Sequence, residues 1–124
     1  MIPSIRVQDL DASLAFYEEK LGFDVARGTA ADGNVALTRG DERVMLEAAG
    51  EFYSPAYNEA IRARLGSSSP HAWYLEEPNL EAYHEQIRAK GVEIVDPLAA
   101  RPWGQVEFTL ADADGNWLTF WRRD

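Results

Sequence analysis

Glu107, Trp117, Thr119 and Trp121 stand at alternate positions within PWGQVEFTLADADGNWLTFW, residues 102–121 of this 124-residue chain. Alternate residues of a β-strand point to one face. If this segment is a hairpin, a carboxylate, a hydroxyl and two indoles share a surface. Indole faces attract cations and flat π-systems with roughly 0.5–2 kcal/mol per good contact, and a carboxylate beside them adds a charge-assisted acceptor. That chemistry is recognition of a planar or positively charged molecule rather than bond breaking. Trp103, on the loop before the hairpin, and Tyr74 and Glu47, from earlier strand-like runs, extend the same set.

Other chemistries are poorly served. The chain has no cysteine and two histidines, His71 and His84. Disulfides, thiolate metal sites and cysteine nucleophiles are thereby excluded. There is no Ser-His-Asp spacing, no phosphate-cradling glycine loop and no paired-histidine motif. Formal charge is −9, from 21 acidic and 12 basic residues, which disfavours nucleic acid because phosphate neutralisation needs clustered Lys and Arg. An acidic surface steers cations in, or simply keeps the protein soluble. No apolar run is long enough to cross a bilayer and no basic-then-apolar leader is present, so no membrane partner is expected and the cytoplasm is the expected location.

The elements that position these residues follow from apolar periodicity. In the C-terminal hairpin Val106, Phe108 and Leu110 alternate with Gln105, Glu107 and Thr109; Asp112–Asn116 supplies the turn; Leu118 and Phe120 then alternate with Trp117, Thr119 and Trp121. Upstream, Ser4–Val7 reads as a strand, followed by a helix to Leu21 that is capped by Asp9 or Asp11 and closed by Gly22. Leu10, Leu14, Tyr17 and Leu21 are expected on its buried face. Trp73–Glu76 and a helix carrying Leu80, Tyr83 and Ile87, closed by Gly91, repeat that order. Each helix precedes three strand candidates: about 23–29, 34–39 and 43–49, then about 92–99, 105–111 and 117–122. The expected fold class is therefore α+β, two βαβββ units forming a curved mixed sheet around a shared cleft. Residues 1–124 are expected to form a single domain, with a first unit at 1–50, a linker at 51–69 and a second unit at 70–124. The linker aromatics Phe52, Tyr53 and Tyr57 are candidates to close over the cleft.

Strand parity predicts an inner face of Ser4, Arg6, Ala36, Thr38, Met45 and Glu47 in the first unit. The second contributes Tyr74, Glu76, Gln105, Glu107, Thr109, Trp117, Thr119 and Trp121. The opposite faces are apolar throughout. An inward Glu107 needs a partner, protein or ligand, and Arg6 is the candidate within the chain. Trp117 and Trp121 serve either as stacking platforms or as interior filler, and Trp121 alternatively as a dimer contact.

Paired βαβββ units, the D-L-D-x-S-L-x-F-Y helix start at Asp9–Tyr17, the K-L-G-F end and P-W-G…E-F…D-x-D-G-N…F resemble the vicinal oxygen chelate superfamily, and within it the bleomycin-resistance-protein branch. The resemblance spans essentially the whole chain. It implies a metal-independent protein that sequesters a planar aromatic, cationic compound, with Glu47, Tyr74, Trp103, Glu107, Trp117, Thr119 and Trp121 at the ligand, no catalytic residue and no cofactor. It also implies a homodimer that exchanges its N-terminal strand near Pro3. The alternative within the superfamily is a metal-dependent glyoxalase- or dioxygenase-type enzyme. The four metal-ligand positions of those enzymes fall on Ile2, Glu47, Ala72 (or Pro70) and Thr119, of which Glu47 alone is a good ligand. His71 lies beside the third with the opposite parity, so a register shift would be needed to give a Glu47–His71 pair.

Overall fold

Each of the two sheets has an apolar back and a polar front, and the alternation seen in the sequence decides which is which. The computed structural model describes residues 1–48, 54–65 and 71–124. Phe52, Tyr53 and Pro70 therefore lie outside the described residues. The chain divides into two compact units, 1–67 and 68–124.

The first unit runs β1 (Ser4–Val7), α1 (Leu10–Ala15, continuing as a π-helical turn Phe16–Lys20), β2 (Asp24–Arg27), a 3-10 turn (Ala30–Asp32), β3 (Asn34–Arg39), β4 (Glu42–Ala48) and α2 (Pro55–Arg64). Its strands lie in the order β1-β4-β3-β2. β1 runs parallel to β4 and the other pairs are antiparallel. Asp9 caps α1, its carboxylate accepting from the Ala12 amide at 3.1 Å. One expectation is corrected: Ser13 is buried with Leu10, Tyr17 and Leu21, while Leu14 is half-buried. Tyr17 packs edge-on against Phe16 and Phe23. α2, which the sequence places in the linker, falls in the first unit.

The second unit repeats the plan: β5 (Ala72–Glu76), α3 (Leu80–Ala89), β6 (Ile94–Arg101), β7 (Gln105–Ala111) and β8 (Trp117–Arg123). The strand order is β5-β8-β7-β6, with β5 parallel to β8. In both units the helix closes on a glycine in the left-handed region, Gly22 at φ 82° and Gly91 at φ 73°, where a side chain would strain the backbone.

Behind the first sheet, Ile5, Val7, Val35, Leu37, Val44 and Leu46 are buried. Behind the second, Leu75, Val106, Phe108, Leu110, Leu118 and Phe120 are. Tyr83 of α3 packs its ring on Phe120 at 4.8 Å and on Phe108 at 6.3 Å, and His84 meets Phe108 edge-on at 4.8 Å. At roughly 1.5–3 kcal/mol per fully buried large side chain, these back faces supply the main driving force for folding. No helix among the described residues is long and apolar enough to cross a membrane.

Candidate functional site

In the second unit, cross-strand register sets the polar face. Glu107 pairs with Trp121, Thr109 with Thr119 and Ala111 with Trp117 between β7 and β8. Tyr74 pairs with Thr119 and Glu76 with Trp121 between β5 and β8. Residues opposite one another share a face, so Tyr74, Glu107, Trp117, Thr119 and Trp121 lie together on one side of this sheet. The hairpin is held by Asp112. Its Oδ1 accepts from the Asp114 and Asn116 amides at 2.9 and 2.8 Å, and its Oδ2 accepts from Asn116 Nδ2 at 3.0 Å. That side chain satisfies the turn's donors and fixes the register that brings the two tryptophans onto the face.

The members of this face differ in character. Tyr74, Trp103 and Trp117 are 55, 61 and 45% exposed, a large apolar display for a polar sheet face. Trp121 is half-buried. Thr109 and Thr119 are buried and share a hydrogen bond of 2.7 Å between their hydroxyls. Glu107 is 5% exposed. The indole Nε1–H of Trp103 donates to Glu107 Oε2 at 3.2 Å, which tethers the loop tryptophan over the carboxylate. Among the described residues of its own unit, no cation lies within ion-pair distance of Glu107. A buried carboxylate with an indole as its one hydrogen-bond donor costs free energy that a positive partner would recover.

The polar face of the first unit is organised differently. Arg6 on β1 stands opposite Glu47 on β4. Its Nη2 lies 3.3 Å from Glu47 Oε2, its Nη1 donates to Ser4 Oγ at 2.7 Å, and Ser4 Oγ donates to Glu47 Oε1 at 3.0 Å. Nη2 also donates to the Tyr57 hydroxyl at 2.8 Å, with the guanidinium 5.8 Å from the ring centre. Within its own unit, then, Arg6 has Glu47 as its carboxylate. Equal parity puts both side chains on one face, and the parallel pairing of β1 with β4 makes them neighbours. Tyr57, one of the linker aromatics, caps the pair from α2. Asn34 stands opposite Glu47 on β3, and its Oδ1 is buried without a hydrogen-bond donor among the described residues.

The residues at the enzyme-type metal positions do not fit a divalent cation. Ile2 and Ala72 carry no donor side chain, the Thr119 hydroxyl is shared with Thr109, and Glu47 is held by Ser4 and Arg6. His71 is exposed. Among the described residues no three His, Asp or Glu side chains group as a metal site would need.

Comparison with known proteins agrees with this architecture. The chain is similar to the crystal structure of UcmS2, with 28% identity, 97% of this chain and 94% of that one covered, and a TM-score of 0.76. It is similar in fold to TioX from Micromonospora sp. ML1, with 22% identity, 100 and 98% coverage and a TM-score of 0.74. A bleomycin-binding protein complexed with bleomycin gives 24% identity, 100 and 98% coverage and a TM-score of 0.73. No curated protein matches the sequence. The family model for the glyoxalase/bleomycin resistance protein/dioxygenase superfamily matches residues 3–120, and the chain belongs to that superfamily.

Proposed function

We propose that this protein is a metal-independent small-molecule binder that sequesters a planar aromatic, cationic compound, a resistance function of the bleomycin-binding kind in which no bond need break. The observation that carries the proposal is the buried Glu107, without a cation at ion-pair distance among the described residues of its unit, on the same sheet face as the exposed Tyr74 and Trp117, with the exposed Trp103 hydrogen-bonded to it. A cationic ring system stacked on those aromatics would recover both their apolar exposure and the carboxylate's missing charge partner. Trp121 and Thr119 complete the face. On the first unit, Glu47 stands beside Asn34 Oδ1, an acceptor without a donor among the described residues, and that pair suits a donor-rich ligand. The resolved complex of the bleomycin-binding protein, alike in fold, lends the reading its ligand class.

The reading includes a cytoplasmic homodimer that exchanges its N-terminal strand. The Pro3 carbonyl accepts from the Met45 amide at 2.9 Å, and β1 sits at the edge of its sheet, so the same ladder is available to the β1 of a second copy.

The test is a tryptophan-fluorescence titration of metal-free protein with a bleomycin-type glycopeptide and a panel of planar aromatic cations. Saturable quenching that persists in EDTA and is lost in Trp117→Ala is the expected result. Silence from every compound would overturn the sequestration reading. Metal-dependent turnover of a ligand would instead favour the glyoxalase- or dioxygenase-type alternative.

A further inference from the structure

The polar face of the first sheet carries a second feature, separate in unit and opposite in charge from the Glu107 surface. A hollow of about 120 Å³ lies across β2, β3 and β4. Ile2, Ala36 and Met45 give it an apolar lining, Thr38 adds a hydroxyl, and Arg27 and Arg43 lie at its sides. Register accounts for the arrangement. Arg27 stands opposite Ala36, which stands opposite Met45, and Thr38 stands opposite Arg43, so these side chains share the face. The slip in pairing between Val25 and Arg27 is what brings Arg27 onto it.

Both arginines are exposed, and neither has a hydrogen bond or ion pair among the described residues. This contrasts with Arg6 on the same sheet, which is bound to Ser4, Glu47 and Tyr57. In a chain of formal charge −9, two unpaired guanidiniums beside one apolar hollow are a local reversal of sign. Asp24 flanks Thr38 on the edge strand but does not line the hollow. Guanidinium is a weakly hydrated planar fork matched to carboxylate. The apolar lining supplies the rest of the contact for a short hydrocarbon body.

We propose that this hollow binds a small organic carboxylate, its carboxylate between Arg27 and Arg43 and its apolar body against Ile2, Ala36 and Met45. The proposal stands independently of the aromatic-cation reading, since it uses none of that reading's residues.

It is tested by titrating the isotope-labelled full chain with benzoate, butyrate and inorganic phosphate while following backbone amide signals. The expected result is saturable, salt-sensitive shifts at Arg27, Ala36, Thr38 and Met45 with benzoate. Affinity should fall about tenfold in Arg27→Gln and again in Arg43→Gln, as each charge-assisted contact is removed. Both side chains are exposed, so the variants should retain the dispersion and melting temperature of the parent. Trp117→Ala should leave the titration unchanged, which separates a failure here from a failure of the sequestration reading. No saturable shift with either carboxylate, or shifts that survive the double variant, would overturn the site. Equal binding of inorganic phosphate would overturn the apolar body as part of what is recognised.

Discussion

The two units share strand order, helix placement, closing glycine and apolar back face, yet they treat the charges on their polar faces in opposite ways. In the first, Glu47 is held by Arg6 and Ser4, and Tyr57 closes over the arginine. In the second, Glu107 is as deeply buried but has an indole where the first unit has a guanidinium. The backs must pack, so period-2 apolar alternation is kept in both copies. The fronts have no such obligation. One is closed by its own ion pair and the other is left with acceptor capacity and exposed aromatic area. A repeated scaffold thus treats two equivalent carboxylates differently: Glu47 is matched by a cation of its own sheet, and Glu107 keeps acceptor capacity that a ligand can use.

The largest expected effect tests the shared part. Phe108 is fully buried and touches Tyr83, His84 and Phe120. Phe108→Ala should lower unfolding free energy by about 3–5 kcal/mol, and Leu37→Ala behind the first sheet by about 2–5 kcal/mol. Urea denaturation measures both. A near-neutral result at either position would mean that the assigned back face is not the core of that unit.

Next comes the ion pair of the first unit. Arg6→Ala removes the cation that lies 3.3 Å from the Glu47 side chain, which is 8% exposed. Stability should fall by about 3 kcal/mol. The double substitution Arg6→Met with Glu47→Leu should recover most of that loss, since an apolar pair of similar volume replaces two charges that needed each other. If the double variant were as unstable as Arg6→Ala, the stabilising contact would instead be the one between Arg6 and Tyr57.

Conservative amides sharpen the contrast between the two carboxylates. Glu47→Gln should destabilise, because it removes the buried carboxylate 3.3 Å from the Arg6 guanidinium. Glu107→Gln should leave stability within about 0.5 kcal/mol, or raise it, because it removes a buried charge that has no cation at ion-pair distance among the described residues of its unit. The same Glu107→Gln change should weaken a cationic ligand by about 1.5–3 kcal/mol and a neutral aromatic ligand much less. Parallel melting curves and fluorescence titrations read both. Equal destabilisation by the two substitutions would erase the distinction between a closed face and an open one.

How much of this was legible beforehand follows from the same division. Strand parity placed Ile5, Val35, Leu37, Leu110, Leu118 and Phe120 behind the sheets and Glu107, Trp117 and Trp121 in front, because alternation is dictated by burial. The turn at Asp112–Asn116 was legible because Asp, Gly and Asn are the residues such a turn needs. The partner of Arg6 was not, since parity tells which face a side chain takes but not which of several carboxylates on that face it meets. That choice is made by the parallel pairing of β1 with β4, a contact between residues 41 apart in sequence. The π-helical turn at Phe16–Lys20 escaped for a different reason: it is an irregularity of one residue, and periodicity averages over it. Nor did the linker aromatics reveal that Tyr57 would bond to Arg6, a matter of where α2 docks on its own sheet.

The smallest expected effect concerns a pair on the outside of the second unit. Arg122 on β8 donates from Nε to both Glu81 oxygens at 2.8 and 2.9 Å and from Nη2 to Oε2 at 2.7 Å, tying α3 to the end of the sheet. The hydrogen bonds from Arg122 hold the Glu81 carboxyl below the usual carboxylate range, and the same contact raises Arg122. A carboxyl whose folded value is depressed stabilises the fold above its unfolded value, and that contribution is lost as pH falls through the folded value. Arg122 stays charged throughout, so Glu81 sets the window. Solvent reaches both side chains, so the effect is small and weakens with salt. Melting temperatures measured from neutral pH down through the carboxylate range should therefore fall slightly less in Glu81→Gln than in the parent, with the difference shrinking at high salt. The contrast with Arg6 and Glu47 is the point: identical chemistry placed outside the sheet should be screened by salt, whereas the buried pair should keep its contribution. Equal salt sensitivity in the two pairs would mean that burial does not separate the closed face of the first unit from ordinary surface.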